Sequence, residues 1–105
     1  MTATNTMTYS RTDEEGKTVL RIAGNLDAMT APELMPAIDK IVSDGCENVV
    51  VDLSELELID SSGVAAIVAL YKRTHALGGR MKVSGARDQP LSIFRLLRMD
   101  RVFSL

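Results

Sequence analysis

The chain has 105 residues, of which 46% are hydrophobic and 25% are charged. This size and composition are typical of one compact domain and exclude collagen-like, coiled-coil and disordered chains. The single cysteine, Cys46, excludes an internal disulfide, and with only one histidine in the chain a structural zinc site is excluded too. The longest strongly apolar stretch, residues 64–71, is far shorter than the roughly 20 residues of a membrane-spanning helix. With no recognisable signal peptide near Met1, we expect a cytoplasmic protein without membrane insertion.

Charge is distributed unevenly along the chain. Residues 1–60 contain 4 Lys or Arg and 12 Asp or Glu, a balance of −8, whereas residues 61–105 contain 8 and 2, a balance of +6. The net charge is therefore −2. The cations of the second half are scattered through helical and strand patterns with few aromatic residues among them. This pattern indicates a solvated surface and no direct binding of nucleic acid.

The N-terminal residues 1–6 are polar and patternless, which predicts a flexible tail before a single domain over residues 7–105. Residues 7–10 and 18–23 have the character of two short strands, and the Asp-Glu-Glu-Gly segment at 13–16 supplies a polar turn. Together they predict a hairpin.

A capping box predicts the start of the first helix at Thr30. Glu33 follows three residues later, so the threonine hydroxyl is expected to accept from the Glu33 amide while the glutamate reaches back. An apolar stripe at helical spacing follows, consisting of Leu34, Ala37, Ile38 and Ile41. The Asp-Gly pair after Ser43 ends the helix near that residue.

Residues 48–53 contain an unbroken run of β-branched residues, Val49 to Val51, instead of an alternating pattern, which predicts a strand that is covered on both faces or central in a parallel sheet. A second helix, capped by Asp60, is expected to run to about Leu77, with its first two turns buried nearly all round. The Gly-Gly pair at 78–79 ends it.

The C-terminal part predicts a strand over 80–84, a third helix opened by residues 88–90, and a last short strand over 102–105. The apolar stripe of this helix is expected to be Leu91, Phe94 and Leu97. Strands that alternate with helices make βαβ units. The fold class is therefore predicted as α/β, a single small domain with a mixed, mostly parallel sheet of four to five strands and about three to four helices.

The sequence contains few groups with which to build a catalytic site. Ser61 and His75 are the parts of a nucleophilic pair, but on one helix their spacing of 14 residues corresponds to roughly 21 Å, whereas proton transfer needs about 3 Å. We expect His75 to close the end of the core stripe instead. Dinucleotide and P-loop patterns are absent, so no cofactor and no enzymatic activity are predicted.

Two further groups with chemical potential are interpreted as structural or solvated. Cys46 precedes a buried strand and is expected to be a buried, unreactive thiol. Four carboxylates near the end of that strand are expected to be solvated acids and not metal ligands, namely Asp52, Glu55, Glu57 and Asp60.

The segment Asp60-Ser61-Ser62-Gly63 holds more polar groups than a helix start needs. If Asp60 is the cap, Ser61 stays exposed, and a phosphate on it would sit at the positive end of the helix dipole. Gly63 lowers helix propensity by about 1 kcal/mol relative to alanine, which predicts a close approach by a partner or by the loop at 25–27.

Four segments together carry a resemblance to a known family: residues 21–27 (RIAGNLD), 49–54 (VVVDLS), 59–63 (IDSSG) and the Gly-Gly pair at 78–79. The chain resembles the STAS domain, most closely the stand-alone bacterial anti-sigma factor antagonists. The family fold is a small mixed sheet with helices, in agreement with the predicted order of elements.

The resemblance implies a binding protein controlled by phosphorylation. Its phosphorylation site would be Ser61, and its partner-binding residues Asp27, Asp60, Ser61, Ser62 and Gly63. The unphosphorylated antagonist would bind an anti-sigma factor that is a GHKL-type serine kinase and so free a sigma factor, and a PP2C-type phosphatase would reset the phosphorylated form. The protein is expected to be a monomer or a weak homodimer.

Two other functions stay open. One is a non-switching STAS scaffold subunit of a transporter or of a stress-sensing complex, which differs from a switch in lacking a kinase for Ser61. The other is a small hydrolase that uses Ser61 or Ser62, which the distance to His75 disfavours.

Overall fold

The computed structural model describes residues 6–105. Within them lie four strands, β1 (Met7–Glu14), β2 (Lys17–Leu26), β3 (Asn48–Ile59) and β4 (Arg80–Ser84), and three helices, α1 (Ala31–Ser43), α2 (Ser61–Ala76) and α3 (Asp88–Leu96). The sheet order is β1-β2-β3-β4, with β1 antiparallel to β2 and the other two pairings parallel. The predicted α/β class with a mixed, mostly parallel sheet is confirmed.

The opening hairpin is longer than predicted. Glu14 pairs with Lys17 across a turn whose two residues, Glu15 and Gly16, both have positive φ. The end of β1 escapes prediction because its side chains are largely exposed and therefore show no hydrophobic period. Of the predicted tail, residues 1–5 lie outside the described residues, and the carbonyl of Thr6 accepts from the Asn25 amide at 2.9 Å.

Within the described residues 6–105, helices cover only one face of the sheet. Side chains on one face of β2, β3 and β4 are buried, among them Leu20, Ile22, Val51, Leu53 and Val83. The opposite face is exposed or half-buried and includes Val19, Arg21, Val50 and Lys82. The central position predicted for residues 48–53 is correct, but the alternative of a strand covered on both faces is wrong. We refer to the uncovered face as the open face.

The helices and the covered face enclose one apolar core. Helix α1 contributes Leu34, Ile38 and Ile41 of its predicted stripe, with Ala37 half-buried beside them, and α2 contributes Val64, Ile67 and Leu70. Within residues 6–105 no helix has the length and apolar character needed to cross a membrane.

The C-terminal segment differs from its prediction. Residues 102–105 form turns and not a strand, because Phe103 is buried in the core, edge-to-face with Phe94 at 5.7 Å and with Tyr71 at 5.5 Å. The predicted stripe of α3 is also shifted: Pro90 and Phe94 are buried, whereas Leu97 follows the end of the helix and is 41% exposed. Aromatic packing, and not strand pairing, therefore fixes this end of the chain.

Candidate functional site

The site is built where β3 ends and α2 begins. Asp60 links the two elements in an extended conformation, and its Oδ1 accepts a hydrogen bond from the Gly63 amide at 3.0 Å, which confirms the predicted cap. Its Oδ2 accepts from the Ala28 amide at 3.2 Å, and its own amide donates to the Leu26 carbonyl at 3.2 Å. Asp60 therefore joins the β3–α2 junction to the loop that follows β2.

Gly63 allows these two segments to lie in direct contact. A Cβ atom at this position would lie 2.5 Å from the Leu26 carbonyl oxygen and 2.7 Å from Cγ1 of Ile59. Of the two approaches that the glycine predicted, the one by the loop at 25–27 is the one observed. The helix accepts a residue of poor propensity because no other side chain fits.

Ser61 is the first residue of α2, and its side chain is exposed. Since Asp60 makes the capping bond, the helix does not need the Ser61 hydroxyl for that purpose. Ser62, the next residue, is half-buried. The start of α2 thus presents one serine to solvent and a second beside it, at the positive end of the helix dipole.

Asp27 organises the turn between β2 and α1. Its Oδ1 accepts from the amides of Met29 at 2.9 Å and Thr30 at 3.1 Å. The Thr30 hydroxyl accepts from the Asp27 amide at 2.9 Å and donates to the Asn25 carbonyl at 2.8 Å. The half-buried Asp27 carboxylate therefore holds a backbone turn.

The predicted capping box at Thr30 is wrong. Thr30 has helical dihedral angles and makes no side-chain cap, and the Glu33 amide donates to its backbone carbonyl at 2.9 Å. The threonine hydroxyl is engaged with the preceding turn and is not available to Glu33. The sequence signal for the true arrangement was the aspartate three residues before Thr30, because Asp side chains bond amides two and three residues onward.

A shallow groove of about 440 Å³ runs between α1 and α2, next to this site. It is lined by Ala28, Ala31, Pro32, Met35, Ser62, Ala65, Ala66 and Ala69. The expectation that the first two turns of α2 are buried nearly all round is therefore wrong, since Ala65 is exposed. The alanine side chains are too short to fill the space between the helices. We call this feature the alanine groove.

His75 lies far from Ser61, near the opposite end of the same helix. His75 was expected to close the core stripe, and this expectation is wrong. The side chain is exposed and stacked on Tyr71, with ring centroids 5.6 Å apart. The structure therefore does not bring together the serine and histidine of the hydrolase alternative.

Cys46 is half-buried, so the expected buried thiol is not observed. One terminal guanidinium nitrogen of Arg11 donates to its Sγ at 3.2 Å, and the other donates to the nearby Asp44 carboxylate at 2.9 Å. No group of three or more His, Cys, Asp or Glu side chains among residues 6–105 is placed to hold a metal ion.

Comparison with known proteins gives a consistent result. The family profile described as "Mlab, STAS domain" matches residues 8–105, nearly the whole chain. The anti-sigma-F factor antagonist RsfB of Mycobacterium tuberculosis is 36% identical over 109 residues, which cover 99% of this chain and 87% of that protein. An anti-sigma F factor antagonist of Paenibacillus polymyxa is 32% identical over 91 residues, covering 86% and 75%.

The fold agrees as well. The crystal structure of an anti-sigma factor antagonist from Mycobacterium paratuberculosis superposes with a TM-score of 0.87 at 28% identity, over 98% of this chain and 87% of that one. The chain therefore belongs to the STAS domain family, and the relatives that it resembles are anti-sigma factor antagonists.

Proposed function

We propose that this protein is an anti-sigma factor antagonist switched by phosphorylation of Ser61. In its unphosphorylated form it binds a GHKL-type serine kinase that acts as the anti-sigma factor, and the sigma factor is released. Phosphorylation ends the interaction, and a PP2C-type phosphatase restores it. The switch operates in the cytoplasm on a monomer or weak homodimer. The observation that carries the proposal is the exposed Ser61 at the first position of α2.

The start of α2 suits a phosphate. A phosphoserine adds a charge of about −1.5 to −2 at pH 7, and a helix N-terminus stabilises negative charge by its dipole and its unpaired amides. Because the cap is made by Asp60, modification of Ser61 leaves the hydrogen bonds of the helix start in place. The fold is thus expected to persist while the charge of the surface changes.

The residues proposed for partner binding divide into two roles. Ser61 and Ser62 offer side chains to a partner, with the alanine groove beside them. The geometry of the site is fixed by Asp27, Asp60 and Gly63. Both carboxylates accept hydrogen bonds from backbone amides, and the glycine packs against Leu26. An apolar side chain of the kinase would enter the groove next to the serines.

The protein is proposed to act by binding alone, without catalysis. Ser61 and His75 lie at opposite ends of α2, so the serine has no histidine to remove its proton. The kinase supplies the catalytic groups and the ATP.

The test is to incubate the protein with its native anti-sigma factor kinase and ATP and to map phosphate by peptide mass spectrometry. Unmodified protein and the matched control Ser92→Ala, at an exposed serine of α3, are expected to carry one phosphate at Ser61. Ser61→Ala is expected to carry none. Phosphate chiefly on Ser62, or on the buried Thr30 or Thr74, would contradict the assignment.

The scaffold alternative predicts a different result from native cells. A STAS scaffold subunit would be isolated with a transporter or stress-sensing complex and without phosphate, whatever the growth condition. Intact-mass measurement of the protein from those cells separates the two functions, because a phosphate adds its mass only to a switch.

A further inference from the structure

A second pocket lies on the open face of the sheet, far from Ser61. It forms where β2, β3 and β4 begin, and its volume is about 410 Å³. Asn48 starts β3 and Ile59 ends it, so the pocket and the start of α2 are separated by the length of this strand, roughly 35 Å. The pocket is therefore distinct from the proposed phosphorylation site.

The strand register places three cations around this pocket. Asn48 pairs with Arg80 and Val50 with Lys82, so these four side chains share the open face. Lys17 at the start of β2 lines the other side. Val50 contributes an apolar floor between cations that stand on strands about 10 Å apart.

The three cations are not neutralised within the described chain. Arg21, further along the open face, is paired with Asp52 at 3.1 Å. Lys17, Arg80 and Lys82 are exposed, and none of them forms an ion pair with a carboxylate of residues 6–105.

Glu15 is the one carboxylate among the described residues that line the pocket. Three positive charges in the lining, against Glu15 in the lining and Glu14 opposite Lys17 in the strand register, leave a local excess that favours an anion.

We propose that this pocket binds a small organic phosphate. The phosphate group would accept hydrogen bonds from Lys17, Arg80 and Lys82, because ammonium and guanidinium groups are the usual phosphate ligands in proteins. The apolar part of the ligand would cover Val50. The volume falls within the range of about 300–1,000 Å³ that small-molecule sites occupy, which favours a small ligand over a protein segment.

The proposal is tested by titrating the isotopically labelled protein with three probes and following backbone amide NMR signals. Phenyl phosphate is expected to shift the signals of Lys17, Val50 and Lys82 and to bind more tightly than inorganic phosphate, which lacks the apolar part. Benzyl alcohol, which lacks the charge, is expected to leave these signals unshifted.

Two triple variants of equal charge locate the site. Lys17→Gln/Arg80→Gln/Lys82→Gln is expected to weaken phenyl phosphate binding by more than about tenfold, since three exposed charge pairs of about threefold each multiply to more than that factor. The control Arg95→Gln/Arg98→Gln/Arg101→Gln removes three exposed cations elsewhere and is expected to bind normally. If the first variant does not give a native spectrum, Lys82→Gln alone is used, with at least a threefold loss expected.

Three results would overturn the proposal. Equal affinity for phenyl phosphate and inorganic phosphate would indicate an adventitious ion only. Equal weakening by both triple variants would show that the net charge of the protein, and not this pocket, accounts for the binding. Signal shifts confined to the start of α2 would place the ligand at the phosphorylation site instead.

Discussion

An aspartate lies at each of the two helix starts near the site, those of α1 and α2, but the two have different consequences for the neighbouring hydroxyl. Each follows a strand, and at each an aspartate accepts backbone amides, Asp27 for the first and Asp60 for the second. At α1 the neighbouring hydroxyl, that of Thr30, is 2% exposed and bonded within the turn. At α2 the neighbouring hydroxyl, that of Ser61, is exposed.

This difference shows how a fold makes one hydroxyl structural and leaves another available. Where the hydroxyl serves the backbone, it is buried and a kinase cannot reach it. Where the aspartate alone makes the side-chain cap, the adjacent serine is exposed and available for chemistry that leaves the fold intact. The comparison predicts large losses of stability when the residues that support the site are changed and small losses when the serine is changed.

Gly63→Ala is expected to give the largest loss of stability. Its Cβ would meet the Leu26 carbonyl and Ile59, and we expect the free energy of unfolding to fall by about 3 kcal/mol, despite a gain in helix propensity of about 1 kcal/mol. Chemical denaturation measures this fall in the free energy of unfolding. The control Ser62→Ala is expected to change stability by less than about 0.5 kcal/mol. A stabilised Gly63→Ala protein would show that the close approach is not tight.

Asp60→Ala is expected to cost about 2 kcal/mol, because it removes the acceptor for the Gly63 amide and, with it, the acceptor for Ala28. Asp60→Asn retains one side-chain oxygen and is expected to lose about half as much. Denaturant midpoints for the two variants measure these losses, and equal losses would mean that the capping bond to the Gly63 amide, which the asparagine oxygen retains, contributes nothing.

Thr30→Val and Ser61→Ala compare the two hydroxyls directly. The valine keeps the volume but removes the bonds that the hydroxyl makes to the half-buried Asn25 carbonyl and Asp27 amide, so we expect a loss of about 1.5 kcal/mol. Ser61→Ala removes an exposed hydroxyl and is expected to cost less than about 0.5 kcal/mol. Thermal unfolding of both proteins tests this order, and the reverse order would remove the distinction between the two helix starts.

Salt is expected to give the smallest effect. If Asp27 and Asp60 lie in the binding surface, a basic patch on the kinase accelerates association, and raising salt from about 50 to about 500 mM should lower the association rate about threefold. Stopped-flow measurements at several salt concentrations determine the association rate. An association rate that does not depend on salt would exclude this electrostatic contribution.

Features set by neighbouring residues were predictable from the sequence. The Asp60 cap, the strand Arg80–Ser84 and the end of α1 at Ser43 were all found, since cap chemistry, alternation and an Asp-Gly stop are local patterns. The exposed position of Ser61 followed from the cap. Its role as a phosphorylation site came from the family resemblance and stays a prediction.

Features set by distant residues, or by two local patterns in competition, were not predicted. At the start of α1 the Thr30 hydroxyl can bond either forward, in a capping box, or back to the preceding turn. It bonds the Asp27 amide and the Asn25 carbonyl of that turn, so the capping box does not form. The burial of Phe103 depends on Phe94 and Tyr71, which no local pattern at 102–105 reveals. The alanine groove likewise depends on how α1 and α2 pack together.

The most direct test of the account is the affinity of the anti-sigma factor kinase for the unmodified protein, the Ser61-phosphorylated protein and Ser61→Ala, measured by calorimetry. We predict that phosphorylation weakens binding by roughly 5- to 150-fold, a coupling of about 1–3 kcal/mol, while Ser61→Ala binds as the unmodified protein does. Ser61→Asp is expected near the low end of this range, and the control Ser92→Asp should have no effect. Equal affinity of the phosphorylated and unmodified proteins, with both folded, would contradict the switch.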